Sequence, residues 1–427
     1  MKKALVLFVV LALLGGMVFA EGQGEASSEK VVLNVMGYGD NSNAEGIAWN
    51  RLVTTFMEEN PDIEIVSELL YDEAYHQKVT ARLAAGDVPH VAYMGADARW
   101  GAPWQEAGQQ IDHRPFLDTD MYDMSLIPEM GPNGEVYYVP LGTSNITTVL
   151  FANEPLINEL GFELPETYED MVAMVSAADE AGLEVVSIDG ADGWAWGSCV
   201  LSAFIGRASG DTNWVSKAVA GENNFDDPAM VQALGWIEQM VEDGVIAESS
   251  VLVDYGTNIS NFSNEQALFM VQGQWAAGSV ENTEVRENMK LMAWPELPGQ
   301  DPATAGSVAA AWQVGYGLTK AATEDPALQA AAVRFLDYVN REEEATQRLR
   351  DGAIVAPILK GYEAPDDLPN ELVQKVELAQ TALNTEVIDA HLSGAPNDTL
   401  NAGMQEIVNG TKSPAEVASE VEELARN

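Results

Sequence analysis

Val31-Val32-Leu33-Asn34-Val35-Met36 is the first clear pattern in the chain, a short apolar, β-branched run that predicts a buried parallel strand. A polar loop, 37–46, follows. Trp49, Leu52, Val53 and Phe56 then recur at helical spacing, and Pro61 closes that helix. Ile63 and Ile65 alternate with acids, as in a half-exposed strand. Asp72 is placed to cap a helix whose Tyr75, Val79 and Leu83 share one face, and Gly86 ends it. Residues 90–94 predict the next strand. Later stretches are more helical. Thr167-Tyr168-Glu169-Asp170 approximates a capping box, with Met171, Met174, Val175 and Ala178 facing inward. Asp227-Pro228 and Asp325-Pro326 each pair an N-cap with a proline at the first helical position. The helices they open bury Met230, Leu234, Ile237 and Val241, and Leu328, Phe335, Leu336 and Val339. Ser413-Pro414-Ala415-Glu416 opens a last helix carrying Val417, Val421 and Leu424. Short strands alternating with capped helices mark an α/β architecture.

The first residues break from this pattern. Lys2 and Lys3 precede an apolar run from Ala4 to Leu14, and Val18-Phe19-Ala20 forms a small-residue cleavage pattern. Residues 1–20 read as a signal peptide cut after Ala20 and 21–30 as a flexible leader. The mature chain is expected to be exported, soluble, and periplasmic or extracellular. The 427 residues carry 67 acids against 21 Lys and Arg, a formal charge of −46. That balance argues against nucleic acid, whose phosphates need clustered cations. A single cysteine, Cys199, leaves no internal disulfide. The four histidines lie apart in sequence, so no metal or other cofactor is expected. Asp40 to Glu45 also lacks the acids and glycine of a calcium loop. Glu342-Glu343-Glu344 and Glu422-Glu423 are expected to be exposed on helices, part of a solvated acidic shell.

Four segments in order carry a resemblance. They are Phe56 to Ile65; Leu83-Ala84-Ala85-Gly86-Asp87-Val88-Pro89-His90-Val91; Gly134 to Pro140 with Leu150 to Asn153 and Leu164 to Tyr168; and Phe262 to Met270 running into Gly273-Gln274-Trp275. Together they resemble the family 1 extracellular solute-binding proteins, the maltose-binding-protein-like receptors of ABC importers. Two positions depart from the family pattern: His90 stands where Asp is usual, and Asn264-Glu265-Gln266 replaces Gly-Lys. The resemblance implies a two-lobed α/β periplasmic-binding-protein fold with ligand in the cleft. It implies crossing strands near 144–148, 291–295 and 335–340. Lobe 1 would then comprise 31–144 plus 295–335, and lobe 2 145–294 plus 336–427. It further implies a monomer that binds a small-molecule ligand, a carbohydrate, and delivers it to ABC permease subunits.

A sugar offers apolar C–H faces and a rim of hydroxyls. It calls for flat aromatic surfaces edged by carboxylates, amides or Arg. Of ten tryptophans, Trp194 and Trp196 stand among acids in Asp189 to Trp196. Trp275 matches the family segment that presents a stacking aromatic. Trp312 sits where the family brings ligand contacts from the first lobe. Trp49 and Trp236 fall on helical stripes and read as core. Ligands of open α/β sheets bind at the carboxyl ends of strands. Asp40 and Asn43 follow the first strand there, with helix capping as their alternative role. Asp97 and Arg99 follow the strand ending at Met94, with a surface ion pair as theirs. Ser144 and Asn145 lie in the first expected crossing. No Gly-x-Ser-x-Gly elbow, Walker loop or Gly-x-Gly-x-x-Gly is present. The expectation is therefore a binder that captures ligand by lobe closure. A carbohydrate-active enzyme and a receptor for a signalling kinase stand as alternatives.

Overall fold

The computed structural model describes residues 30–41 and 44–426. The expected signal peptide, nearly all of the leader, and Asn43 lie outside the described residues.

Two sheets, each with its own hydrophobic core, organise the chain. The first runs Ile63–Leu70, Val31–Tyr38, Val91–Met94, Gly315–Leu318, Val139–Pro140. Its first three strands are parallel; Gly315–Leu318 runs antiparallel to them, and Val139–Pro140, antiparallel to Gly315–Leu318, runs their way again. The helices Ala44–Glu59, Glu73–Ala85 and Pro326–Asn340 cover it. Leu33, Phe56, Tyr75, Val91, Leu318 and Phe335 lie in its core. The strand Val31–Tyr38 is less uniformly buried than its composition predicts: it lies between two neighbours within the sheet, yet leaves Val32 43% exposed. The second sheet runs Glu184–Ser187, Ala267–Gln272, Val149–Ala152, Lys290–Met292. Around it Leu150, Met171, Phe204, Leu234, Phe269 and Met404 form the larger core. Three short strands, Asn384–Thr385, Val308–Ala311 and Asn145–Ile146, make a third sheet beside it.

Local chemistry sets most of the helix ends as the sequence predicts, but Asp227 makes no cap bond, its carboxylate accepting instead from the Asn224 amide at 3.0 Å. Thr167 and Asp170 form a reciprocal capping box, as do Ser413 and Glu416. The Asp325 carboxylate accepts from the amides of Ala327 and Leu328. Gly86 ends its helix in the left-handed conformation, φ 71°. Asp72 holds the N-cap place of that helix, but its side chain caps nothing and turns instead toward Arg99.

The division between lobes differs from expectation at two of three crossings. The chain leaves the first core between Leu141 and Ile146. It returns between Ala311 and Val314 rather than near 291–295. It leaves again only after Ile358, not near 335–340. All of the helix Pro326–Asn340 packs on the first core, while Leu297 and Val308 belong to the second side.

The reason for the late return is Arg207, a fully buried cation in the helix Ser202–Ser209. Its guanidinium donates to the carbonyls of Trp294 (2.9 Å), Pro295 (2.9 Å) and Ser307 (2.8 Å). That staple holds segment 294–307 to the second lobe. Burial alone pulls its pKa down to about 10, so it stays charged at neutral pH. Removing it leaves three buried carbonyls without donors. Arg207→Ala is expected to lower unfolding free energy by about 3 kcal/mol; chemical denaturation measures it, and an unchanged midpoint would refute the staple.

Candidate functional site

Between the two cores lies a cleft walled by both. The first lobe contributes Tyr38, Trp49, Tyr71, Tyr93, Asp97, Arg99, Trp100, Tyr316, Glu344 and Arg348. The second contributes Asn145, Thr147, Trp194, Ser198, Tyr255, Trp275 and Asp389. The first-lobe wall is built at the carboxyl ends of its parallel strands. Tyr38 ends the strand Val31–Tyr38, Tyr71 follows Ile63–Leu70, and Asp97 to Trp100 follow Val91–Met94.

These rings pack as a panel. Tyr38 stacks on Tyr93 at 4.9 Å and 7°, and Trp100 stands edge-on to both at 5.2 and 5.4 Å. Trp49 stacks on Tyr316 at 5.1 Å. Its indole lies against the bare Gly37, where a Cβ would approach the ring to 2.6 Å, and its N–H donates to Ser67 Oγ at 2.7 Å. Packing thus fixes these rings before any ligand arrives, which lowers the entropic cost of binding. Opposite them, Trp275 folds over Gly273, whose Cβ would fall within 2.4 Å of the ring. Trp194 lies 6.1 Å from Trp275. The Trp194 Nε1 is buried and has no hydrogen-bond partner among the described residues, a donor left unsatisfied in a residue that lines the cleft.

Charge gathers around Arg99. Asp97 closes a tight turn: its carboxylate accepts the Trp100 amide at 2.7 Å, and its carbonyl accepts from Gly101 at 2.8 Å. Arg99 Nε donates to His76 Nε2 at 3.0 Å. Burial, aided by Arg99, holds that imidazole neutral, with its pKa down to about 3. Arg99 also sits 3.7 Å from Asp72 in its own lobe and 3.6 Å from Asp389 across the cleft. Beside this pair the Ala98 amide donates to the Ala390 carbonyl at 2.9 Å, so the lobes touch here through both backbone and ion pair. Burial raises Asp389, against the pull of Arg99 and Ser198. Among the described residues, no group of three or more His, Cys, Asp or Glu is placed to hold a metal ion.

Two lobes with separate cores, a cleft at strand ends and side chains converging from both walls are the geometry of a receptor. A family model for bacterial extracellular solute-binding proteins matches residues 51–379. The chain belongs to that family. Over 260 residues it is 22% identical to the multiple sugar-binding protein of Streptococcus mutans serotype c, a match covering 60% of this chain and 61% of that relative's length. Among solved structures it resembles a chitin oligosaccharide binding protein, with TM-score 0.78 and 19% identity over 92% of this chain and 98% of that one. It also resembles the maltose-bound MalE3 of T. maritima, with TM-score 0.75 and 17% identity over 93% and 99%. At these identities the structural likeness shows the two-lobed fold.

In this solute-binding protein the cleft gathers Asp97, Arg99, Asn145, Trp194 and Trp275 of the residues singled out by sequence. Trp196 is elsewhere: it is fully buried in the second core and donates to the Gly190 carbonyl at 3.1 Å. The acids around it are structural too. The buried Asp189 carboxylate accepts from Gln272 (2.8 and 2.9 Å) and Asn258 (3.2 Å), and Asp192 accepts the Tyr255 amide at 2.8 Å. Trp312 is 44% exposed outside the cleft lining, while Gln313, Val314 and Tyr316 from the same segment line it. Asp40 stands beyond the wall, because the strand runs on to Tyr38 and gives that tyrosine the strand-end place. Ser144 contributes its carbonyl to Gln274 Nε2 at 2.9 Å and does not line the cleft. Sequence reasoning missed Tyr38, Trp100, Arg348 and Asp389, and within the segment 311–316 it singled out Trp312 where Tyr316 lines the cleft. The strand-end rule that selected Asp97 and Arg99 also reaches Tyr38 and Trp100. Glu344 is likewise buried rather than exposed, held by Arg51 at 3.6 Å and Arg341 at 3.5 Å. Glu422 is half-buried and accepts the Phe225 amide at 2.7 Å.

Burial raises the Asp97 carboxyl from 3.8 to about 7, with the Trp100 amide opposing. The folded state therefore holds this proton more tightly than the unfolded chain does. Its contribution favours folding at acid pH and is lost as pH rises from about 4 through about 7. Asp97→Asn keeps an acceptor for the Trp100 amide and removes the titration. The fall in melting temperature between pH 5 and pH 8 is expected to be shallower in the variant; identical slopes would show that Asp97 does not titrate this way.

Proposed function

We propose that the protein is an exported receptor that captures a sugar or oligosaccharide between its lobes and hands it to the permease of an ABC importer. One observation carries this reading: aromatic faces from both lobes, Trp275 and Trp194 against the Tyr38–Tyr93–Trp100 panel, line one cleft whose edge is set with carboxylates, an arginine and an unfilled indole donor. Rings suit the C–H faces of a pyranose, and the polar rim suits its hydroxyls. The named specificities of the similar proteins, a multiple sugar-binding protein and receptors for chitin oligosaccharide and maltose, support the same ligand class. The amino-terminal lysines, apolar run and small-residue site support export. The receptor acts as a monomer, and the closed lobes present a joint surface to the permease. Capture works by population shift: ligand favours the closed arrangement only through contacts it makes there and not in the open one.

One observation favours the enzyme alternative. Asp97, with its pKa near 7, and Asp389 bring two buried carboxylates to the same cleft, a pairing that hydrolases use. Against it, Asp97 is engaged by the Trp100 amide and Asp389 by Arg99. Both groups are already committed to structure.

Trp275→Ala is expected to weaken sugar binding by about 1–3 kcal/mol through loss of a buried aromatic contact. Calorimetry with the best binder from a thermal-shift panel of mono- and oligosaccharides measures it, and unchanged affinity would remove Trp275 from the site. Small-angle scattering is expected to show a smaller radius of gyration with that sugar bound, and the sugar is expected to be recovered uncut. Superimposable curves would refute closure, and any cleavage products would favour the enzyme.

A further inference from the structure

The cleft also holds a cation that the fold leaves unfinished. Arg348, on the helix Glu342–Arg350, is 92% buried and lines the cleft. Its Nε and Nη2 are both buried, and neither has a hydrogen-bond partner among the described residues. These two nitrogens form one edge of the guanidinium. Their N–H bonds run parallel, in the fork that meets the two oxygens of a carboxylate.

The neighbours compensate it only in part, through the field of Glu344 and with no ion pair to Arg348 itself. Glu344 is the nearby acid, but its carboxylate is shared between Arg51 at 3.6 Å and Arg341 at 3.5 Å. The other groups acting on Arg348 are the phenols of Tyr93, Tyr122 and Tyr316. Burial pushes Tyr122 and Tyr316 up, so they remain neutral at physiological pH. Desolvation lowers Arg348 only to about 10, so the buried group is charged. A neutral diol reaching that edge supplies hydrogen bonds but leaves the charge uncompensated. A carboxylate supplies both, and in a site shielded from water this difference is large.

We propose that Arg348 is a specificity-determining ligand contact and that the sugar bound in this cleft is acidic, a uronic acid or an oligosaccharide containing one, whose carboxylate pairs with the Arg348 guanidinium. This rests on the sugar-receptor reading above and narrows it. The overall acidity of the protein does not oppose it, because three of the 21 cations, Arg51, Arg99 and Arg348, line this one cleft.

The test is a matched panel: glucuronic and galacturonic acids and their disaccharides, each beside its neutral counterpart with CH2OH in place of the carboxylate and beside its methyl ester. Thermal shift screens the panel, and calorimetry measures the binders. At least one uronate is expected to bind, with its neutral counterpart and methyl ester at least tenfold weaker. Arg348→Gln and Arg348→Lys are each expected to weaken that uronate at least tenfold, the lysine variant because a point charge does not replace the fork. Arg348→Met tests whether the residue is a structural prop: with no ligand its melting temperature is expected to equal or exceed that of the unaltered protein, since an unpaired buried charge has been removed. A lower melting temperature for Arg348→Met, or uronate affinity unchanged in Arg348→Gln, would overturn the assignment. Neutral sugars binding while no uronate does would overturn it and leave the sugar-receptor reading standing. Binding by neither class would overturn both.

Discussion

Each lobe completes its own hydrophobic core, and on that independence the site depends. Leu33, Phe56 and Phe335 close one interior and Leu150, Phe204 and Phe269 the other, with no apolar residue required to bridge the gap. The surfaces that face each other therefore need not pack against the opposite lobe. They can hold groups that a core would not tolerate: an indole donor on Trp194 and a guanidinium edge on Arg348, both buried and both without partners among the described residues. In a single-core protein such orphans would be costly defects. Here they sit on the walls of a cavity, where an incoming molecule can supply the missing oxygens.

The local chemistry of the chain was legible because it is short-range. Capping boxes at Thr167 and Ser413, the Asp325 cap and the left-handed Gly86 follow from residues within four positions of one another. The strand-end rule points to the wall of the cleft, where Asp97 and Arg99 lie. What failed was decided at long range. Trp196 and Trp194 share a loop and a composition, yet one fills the second core and the other lines the cleft. Only the placement of helix Ala395–Val408 beneath that loop, with Gln405 donating to the Gly190 carbonyl at 2.7 Å, separates them. The late return of the chain to the first lobe depends on Arg207 meeting carbonyls about ninety to a hundred residues away. Glu344 reads as solvated in a run of three acids, and its burial follows from Arg51 and Arg341, one of them nearly three hundred positions earlier.

Global and local charge point in opposite directions in this molecule. A net −46 dominates the field far from the surface and keeps the protein dispersed. Inside the cleft, the nearest groups matter more, because low dielectric strengthens short-range pairs and counterions are excluded. The acids there are largely spoken for: Asp97 by a backbone amide, Asp389 by Arg99 and Glu344 by two arginines. Composition alone thus underestimates what the cleft can offer to an anionic group.

Arg99 shows how the two arrangements of such a clamp can lie close in free energy. In its own lobe it has Asp72 at 3.7 Å, Glu73 at 3.9 Å and the neutral His76 at 3.0 Å; across the cleft it has Asp389 at 3.6 Å. Parting the lobes would break the last contact and the Ala98–Ala390 hydrogen bond, but Arg99 would keep its first three partners and gain water. The released Asp389 would regain solvation that burial now denies it. The ion pair between lobes is therefore a weak latch: its Coulomb gain on closing is offset by desolvation of the carboxylate. A latch of this kind aligns the lobes without holding them shut. The free energy that fixes the closed state must then come from groups that neither lobe can satisfy alone, and the cleft displays these as the Trp194 donor and the Arg348 edge.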